Sequence, residues 1–162
     1  AVVKVTDRKG MENVQKELGS RTVITLENYL LKDSRTNMSR VVPEGTDGAK
    51  KAVLEYQVLG VEAGEELALL RVKLHTGRHH QIRVQLSEAG MPILNDTKYG
   101  TTPNEENIKD TLRAVRDEAL ALCSYRLVFS HPVTRKKLTF EVIPKGKSFA
   151  LFSEDFGKKD NI

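Results

Sequence analysis

The sequence has a single cysteine and no long apolar run, and each shortage excludes a class of protein. Cys123 alone cannot form an internal disulfide, which favours a reducing compartment, so we expect a cytoplasmic protein. No run of about 18 apolar residues is present, so we expect no membrane-spanning segment. The N-terminal stretch AVVKVTDRKG also lacks the charged lead and apolar segment of a signal peptide.

What the sequence does contain is ordinary for a globular protein, with 39% apolar and 30% charged residues. The 162 residues show no internal repeat or low-complexity tract, so we expect one domain, residues 1–162. The net charge of +4 is modest but unevenly placed. Seven basic or histidine side chains, with no acid among them, crowd into thirteen residues: Arg71, Lys73, His75, Arg78, His79, His80 and Arg83. This placement predicts a local basic surface.

Hydrophobic alternation predicts most of the strands. One strand is predicted at Ala1–Val5 and another from Ala52 to Val58, where apolar residues alternate with polar ones. A second alternating run over 67–74 pairs with it as a hairpin, and a slip of one residue at Leu69–Leu70 predicts a β-bulge there. Two further alternating runs, 125–129 and 138–142, flank a turn at 131–134.

Helical spacing is weaker and leaves two segments open. Met11, Val14 and Leu18 predict a short helix that stops at Gly19. Capping signals predict a helix over 103–116, and a last helical turn is expected at 148–152. Segments 22–33 and 80–89 fit either a strand or a helix. The predicted fold class is therefore α+β, a mostly antiparallel mixed β-sheet with a few flanking helices.

The stretch 74–86, Leu-His-Thr-Gly-Arg-His-His-Gln-Ile-Arg-Val-Gln-Leu, allows three interpretations. A metal site would use its three histidines, but adjacent histidines point apart on regular structure and the ligand spacing of zinc sites is missing. A solvated basic face is the second interpretation. The third is a polyanion site, in which backbone amides after the Thr-Gly turn and the arginines hold phosphates. Composition alone supports the last two about equally.

This stretch and the following Gly90-Met-Pro-Ile-Leu-Asn-Asp-Thr-Lys-Tyr-Gly100 resemble a motif of RluA-type pseudouridine synthases. The family pattern runs Leu-x-Thr-Gly-Arg-x-His-Gln-Ile-Arg-Val, then Gly-x-Pro-Ile-x-Gly-Asp-x-x-Tyr-Gly. Segment 28–33, Asn-Tyr-Leu-Leu-Lys-Asp, and segment 122–132, which ends in His-Pro, resemble other parts of the family in the same order. The resemblance spans about residues 22–152 and corresponds to the C-terminal part of the family's catalytic domain.

The resemblance implies isomerisation of specific uridines in RNA, ribosomal RNA above all, without a metal or organic cofactor. In that family an aspartate attacks the flipped-out nucleotide and an arginine pairs with the aspartate. Arg83 matches that arginine, and Leu122 matches the hydrophobic residue beside the base. The remaining motif matches imply contacts to phosphate or support of the loop, and they are Thr76, Gly77, Arg78, His80 and Gln81. Asp96 matches a structural turn residue.

Arg71 and Lys73 are expected to contact RNA phosphates because they share one face of a strand with His75.

The family's Arg-Leu-Asp nucleophile motif is absent from the 162 residues. We therefore expect a fragment that is inactive alone, since the covalent step carries the chemistry. Without the preceding strands an exposed sheet edge is expected, and self-association is one way to cover it. Two alternatives stay open: a non-catalytic RNA-binding remnant of the family, and a basic globular domain without a role in RNA. The roles of 7–20 and of 101–118 are not predicted.

Overall fold

The computed structural model describes residues 1–100, 115 and 119–156. In chain order its main elements are β1 (Val2–Lys4), α1 (Arg8–Ser20), β2 (Val23–Asp33), β3 (Met38–Val42), β4 (Lys50–Glu62), β5 (Leu67–Leu74), α2 (Gln81–Glu88), β6 (Arg126–Ser130), β7 (Lys137–Glu141) and α3 (Lys147–Ala150). Short 3-10 turns follow β4 and α3. The helix expected over 103–116 lies, apart from Val115, outside the described residues.

Five strands form an antiparallel sheet in the order β1-β5-β4-β2-β3, and β6 and β7 form a separate hairpin. The predicted α+β class is confirmed. Segment 22–33 is resolved in favour of a strand because β2 is paired along both of its edges, with β3 and β4. Segment 80–89 is a helix, α2.

The long strand β4 shows why the alternation of the sequence predicts the sheet well. Ala52, Leu54, Tyr56 and Val58 are buried on one face, as the pattern predicts. The predicted bulge exists but lies in the other strand of the hairpin. Leu70 pairs with Val58 and Leu69 pairs with Gly60, so the extra residue is Leu59 of β4. The slip in the β5 pattern has another cause, since 67–70 are all buried and both faces of β5 are covered there.

Asp7 caps the N-terminus of helix α1, because its carboxylate accepts a hydrogen bond from the Gly10 amide at 2.7 Å. Val14 is buried against the sheet, in the same core as Phe149 and Phe152. The helix does not stop at Gly19 as expected. It runs to Ser20, and Arg21 takes the left-handed conformation that ends it.

The outer side of β1 is covered by the chain itself. The amides of Val2 and Lys4 donate to the carbonyls of Ala121 and Pro92, and the amide of Leu94 donates to Val2. The sheet edge that was expected to be open is therefore closed along β1. No helix among the described residues is long and apolar enough to cross a membrane.

The β6–β7 hairpin is the least buried part of the described chain. Its turn and both strands are confirmed. Opposed pairs place Leu127 with Phe140 and Phe129 with Leu138 on one apolar face, while Arg126 and its partners lie on the other. Leu127 and Phe140 are 55% and 56% exposed, so this apolar face carries little cover from the described residues.

A candidate RNA site around helix α2

The loop between β5 and α2 is held by two motif side chains. The hydroxyl of Thr76 donates to the side-chain carbonyl of Gln81 at 2.8 Å and accepts the Val53 amide at 2.9 Å. The same Gln81 carbonyl accepts the Arg78 amide at 2.9 Å, and the Gln81 side-chain amide donates to the Val53 carbonyl. These hydrogen bonds fasten the loop to β4 through Gln81. Because the Gln81 side chain is only 3% exposed, it is not accessible to a large ligand.

Gly77 and Arg78 form the exposed part of this loop. A Cβ atom built on Gly77 would meet nothing within 4 Å, so its backbone faces open space. The Nε atom of Arg78 donates to the Lys51 carbonyl at 2.9 Å, which anchors the arginine while its side chain stays exposed. Together they present an exposed guanidinium beside an accessible backbone, a combination suited to phosphate.

Arg83, on the first turns of α2, is paired with Asp96. Its Nε and Nη2 atoms donate to the two carboxylate oxygens at 2.8 and 2.6 Å. The Asp96 side chain is fully buried, and the Arg83 side chain is 17% exposed. Burial raises the pKa of Asp96, but hydrogen bonds from Arg83 and from the amides of Tyr99 and Lys98 outweigh it and the pKa lies below the ordinary value.

The two amide contacts identify Asp96 as a turn residue, as expected from its place in the motif. Its pairing with Arg83 was not expected. A fully buried carboxylate with four donors cannot reach a nucleotide, so Asp96 has the geometry of a structural anchor and not of a nucleophile.

A chain of polar contacts continues from Arg83 to the edge strand β3. The Nη1 atom of Arg83 lies 3.4 Å from His80 Nε2, and His80 Nδ1 lies 2.9 Å from the Tyr99 hydroxyl. That hydroxyl accepts the Ser39 amide at 2.7 Å, and the Ser39 hydroxyl lies 3.0 Å from His79 Nδ1. The Arg83 guanidinium also lies over the Tyr99 ring, 5.0 Å from its centre.

The pKa of each of the two histidines in this cluster is lowered, which favours the neutral ring. Burial lowers the pKa of His79, and the positive charges of Lys32, Lys98 and Arg83 lower it further. Burial and the neighbouring His79 lower the pKa of His80 in the same way. A neutral His80 can accept from the Arg83 Nη1 group, whereas a protonated one would repel it.

Arg71 and Lys73 lie elsewhere. They are paired across the hairpin with Gln57 and Glu55, on the face opposite the buried residues of β4, and their side chains contact those partners. Helix α2 packs Val84 on the other face, against Ala52 and Leu30. The seven clustered residues are thus divided between two faces of the sheet, and Arg71 and Lys73 are not brought together with Arg83.

Leu122 is tied to the site through the loop that holds Asp96. The amide of Ala121, its neighbour, donates to the Leu94 carbonyl, two residues before Asp96. Leu122 is half-buried and lines a cavity of about 340 Å³ with Cys123, Lys145 and Phe149 among its walls. Among the residues that the structure describes, no group of three His, Cys, Asp or Glu side chains is placed to hold a metal ion.

The contributions of Ser39, His79 and Tyr99 to this cluster were not predicted from the sequence. The motif contained a signal for Tyr99, which is one of its matched residues, and for His79, which stands at its variable position. Ser39 gave no signal, because only the pairing of β3 with β2 brings it to the histidines.

Comparison with known proteins identifies the family of the chain. The family model for RNA pseudouridylate synthase matches residues 3–88, just over half of the chain. The chain belongs to this family. It is 39% identical over 93 residues to an RNA pseudouridine synthase from Aquifex aeolicus, covering 57% of this chain and 29% of that protein. It is 30% identical over 140 residues to the ribosomal large subunit pseudouridine synthase D from Vibrio parahaemolyticus, covering 80% of this chain and 41% of that protein.

Solved structures show the same fold. Human RNA pseudouridylate synthase domain containing 1 superposes with a TM-score of 0.59 at 21% identity, over 89% of this chain and 52% of that one. The chain therefore spans roughly a third of the length of these two curated relatives and about half of this structural neighbour.

Proposed function

We propose that this chain is the RNA-facing C-terminal part of the catalytic domain of a pseudouridine synthase, which isomerises specific uridines in RNA. The observation that carries the proposal is a connected cluster of motif residues centred on Arg83, whose other members are His80, Asp96 and Tyr99. Ribosomal RNA is the proposed substrate because relatives such as the Vibrio parahaemolyticus protein are ribosomal large subunit pseudouridine synthases. No metal or organic cofactor is part of the proposal.

Arg83 is proposed to orient the nucleophilic aspartate of the complete enzyme. Asp96 occupies the Nε and Nη2 side of the guanidinium, which fixes its plane. Among the residues that the structure describes, the Nη1 group shows only the long contact to His80, so it can donate to a second carboxylate. An arginine held in this way keeps an aspartate ionised and aimed, as nucleophilic attack requires. Since the Arg-Leu-Asp motif is absent from the sequence, we propose that the chain alone is inactive.

The remaining motif residues are proposed to act around this centre. Gly77 and Arg78 contact phosphate from the exposed loop, and Thr76 and Gln81 hold that loop in place. His80 positions Arg83 and borders the nucleotide. Leu122 packs beside the uracil at the cavity it lines.

Arg71 and Lys73 are proposed to bind RNA phosphate on the outer face of the sheet, which is the face opposite the buried residues of β4. Because Lys73 already pairs with Glu55 at 3.3 Å, we expect Lys73 to contribute less to RNA binding than an unpaired lysine would. Replacing both residues with glutamine should flatten the plot of log affinity against log salt by about one unit. An unchanged slope would remove these two residues from the proposed interface.

The catalytic part of the proposal is tested by extending the gene upstream of the Ala1 codon and assaying its product. If the frame encodes Arg-Leu-Asp, that product should form pseudouridine in RNA, measured by nucleoside mass spectrometry. Arg83→Lys keeps the charge but loses the fork, and it should abolish turnover while RNA affinity stays near that of the parent. Near-normal turnover in this variant would refute the role of Arg83.

A non-catalytic RNA-binding remnant is the second candidate function. It is favoured by the absent nucleophile motif together with the intact Arg83 cluster. A start codon directly before Ala1, combined with salt-sensitive RNA binding and no product, would select it. Weak binding to any polyanion would instead indicate a basic domain without a role in RNA.

We also propose that residues 1–162 act as one domain in the cytoplasm and that the chain self-associates. Because the β1 edge is closed, we propose the apolar face of the β6–β7 hairpin as the main contact between copies. The other edge of the sheet is β3, which among the described strands pairs with β2 alone. Light scattering should show dimers that Leu127→Thr with Phe140→Thr converts to monomers. A wild-type chain that stays monomeric at high concentration would contradict this part.

A further inference from the structure

The inner face of the sheet ends in a second group of positive charges beside the Arg83 cluster. Residues 24, 26, 28 and 30 of β2 lie on the core side of the sheet, where Leu30 is buried. Lys32 is the next residue on that side and is exposed. Lys32 is directly opposite Ser39 of β3. Opposed residues of antiparallel strands have Cβ atoms about 5 Å apart, and the Ser39 hydroxyl contacts His79.

Lys98 reaches the same place from the loop after α2. Its Nζ atom donates to the carbonyl of Asn37, in the turn that joins β2 to β3, at 3.2 Å. Its backbone amide is held by Asp96, the partner of Arg83. One hydrogen bond uses one of the three ammonium protons, so two remain to donate to a ligand.

The acids near this group do not neutralise it. Asp96 is saturated by Arg83 and two amides, and Asp33 accepts the Arg35 amide and lies near its guanidinium. Within residues 1–100, 115 and 119–156, Lys32 and Lys98 show no ion pair with a carboxylate. This contrasts with Lys73 on the outer face, which pairs with Glu55.

We propose that Lys32 and Lys98 form a phosphate clamp that grips the RNA backbone next to the nucleotide at Arg83. The inference rests on the proposed function, which supplies RNA as the ligand, and it adds two residues outside the seven-residue cluster. The two lysines come from different elements and meet at the end of the β2–β3 hairpin, Lys32 opposite Ser39 and Lys98 bonded to the Asn37 carbonyl, so a single strand crossing that end can reach both. Strand-tracking sites in RNA-binding proteins use such paired cations.

The test measures binding of the chain to a single-stranded, uridine-containing RNA by fluorescence anisotropy at several salt concentrations. Lys32→Gln with Lys98→Gln should flatten the log–log slope by about 1.4 units, because each phosphate contact with a single strand contributes about 0.7. The matched control, Lys9→Gln with Lys16→Gln, removes the same charge from exposed positions of α1 and should leave the slope unchanged. Lys32→Arg with Lys98→Arg should retain the wild-type slope.

A double glutamine variant whose slope equals that of the α1 control would overturn the clamp while leaving the proposed function intact. If the wild-type chain shows no salt-dependent RNA binding at all, both proposals fail. Thermal melting by circular dichroism should give equal transition temperatures for all variants, since the substituted side chains are exposed.

Discussion

Asp96→Asn should be strongly destabilising, because it leaves a largely buried cation without its counter-charge. Three of the four donors around Asp96 reach Oδ1, namely Arg83 Nη2 and the amides of Lys98 and Tyr99, and an asparagine oxygen can retain them. The fourth, Arg83 Nε, reaches Oδ2, where the variant places an NH₂ group that cannot accept. Removing one partner of a buried pair costs about 3 to 5 kcal/mol. With the contacts to Oδ1 kept, we expect about 3 kcal/mol.

The assay is urea unfolding of the chain followed by circular dichroism, with linear extrapolation to water. Glu12→Gln, which breaks the exposed Arg8–Glu12 pair on α1, is the control and should cost less than about 0.5 kcal/mol. Adding Arg83→Met to Asp96→Asn should recover part of the loss, because the unpaired buried charge is then gone. A loss below about 1 kcal/mol for Asp96→Asn, or strictly additive effects in the double variant, would refute the reasoning.

The same pair predicts a pH dependence with a definite sign. The pKa of Asp96 is lowered in the folded protein, so its contribution is complete above the unfolded pKa of about 4 and is lost as the pH falls through the folded value. The stability difference between wild type and Asp96→Asn should therefore be constant near neutral pH and shrink only in acid. A difference that already declines between pH 7 and 5 would contradict this assignment.

Three further substitutions test the Asp96 loop, helix α1 and the outer face of the sheet. A methyl group on Gly100 would lie 2.3 Å from the Asp96 carbonyl oxygen, so Gly100→Ala should lower the free energy of unfolding by about 1 to 3 kcal/mol in urea. A methyl group on Gly19 would meet nothing within 4 Å, so Gly19→Ala should stabilise α1 by about 0.5 to 1 kcal/mol. If both variants changed the free energy of unfolding equally, Gly100 would not be closely packed against the Asp96 backbone. Glu55→Gln frees Lys73 and should steepen the salt dependence of RNA binding by up to about 0.7 units, and no change would place the outer face outside the interface.

Much of the fold was predictable because local pattern and tertiary structure agree. The alternation in β4 and the helical spacing around Val14 each describe a face that is buried in the structure. The ambiguous segments were ambiguous for a physical reason. β2 is defined by pairing along both edges, and α2 begins where Gln81 fastens the loop, neither of which a short apolar pattern contains.

The family resemblance, the strands of the β4–β5 and β6–β7 hairpins and the prediction that Arg83 belongs to the site all came from local sequence pattern. The positions of the basic residues, by contrast, depend on the tertiary fold. Strand alternation sends Arg71 and Lys73 to the outer face, and the turn that Gln81 holds brings Arg83 to the inner one. The pairing of Arg83 with Asp96 likewise depends on the tertiary structure. Asp96 is thirteen residues away in sequence, and its pairing depends on the loop that docks beside β1, which no local periodicity records.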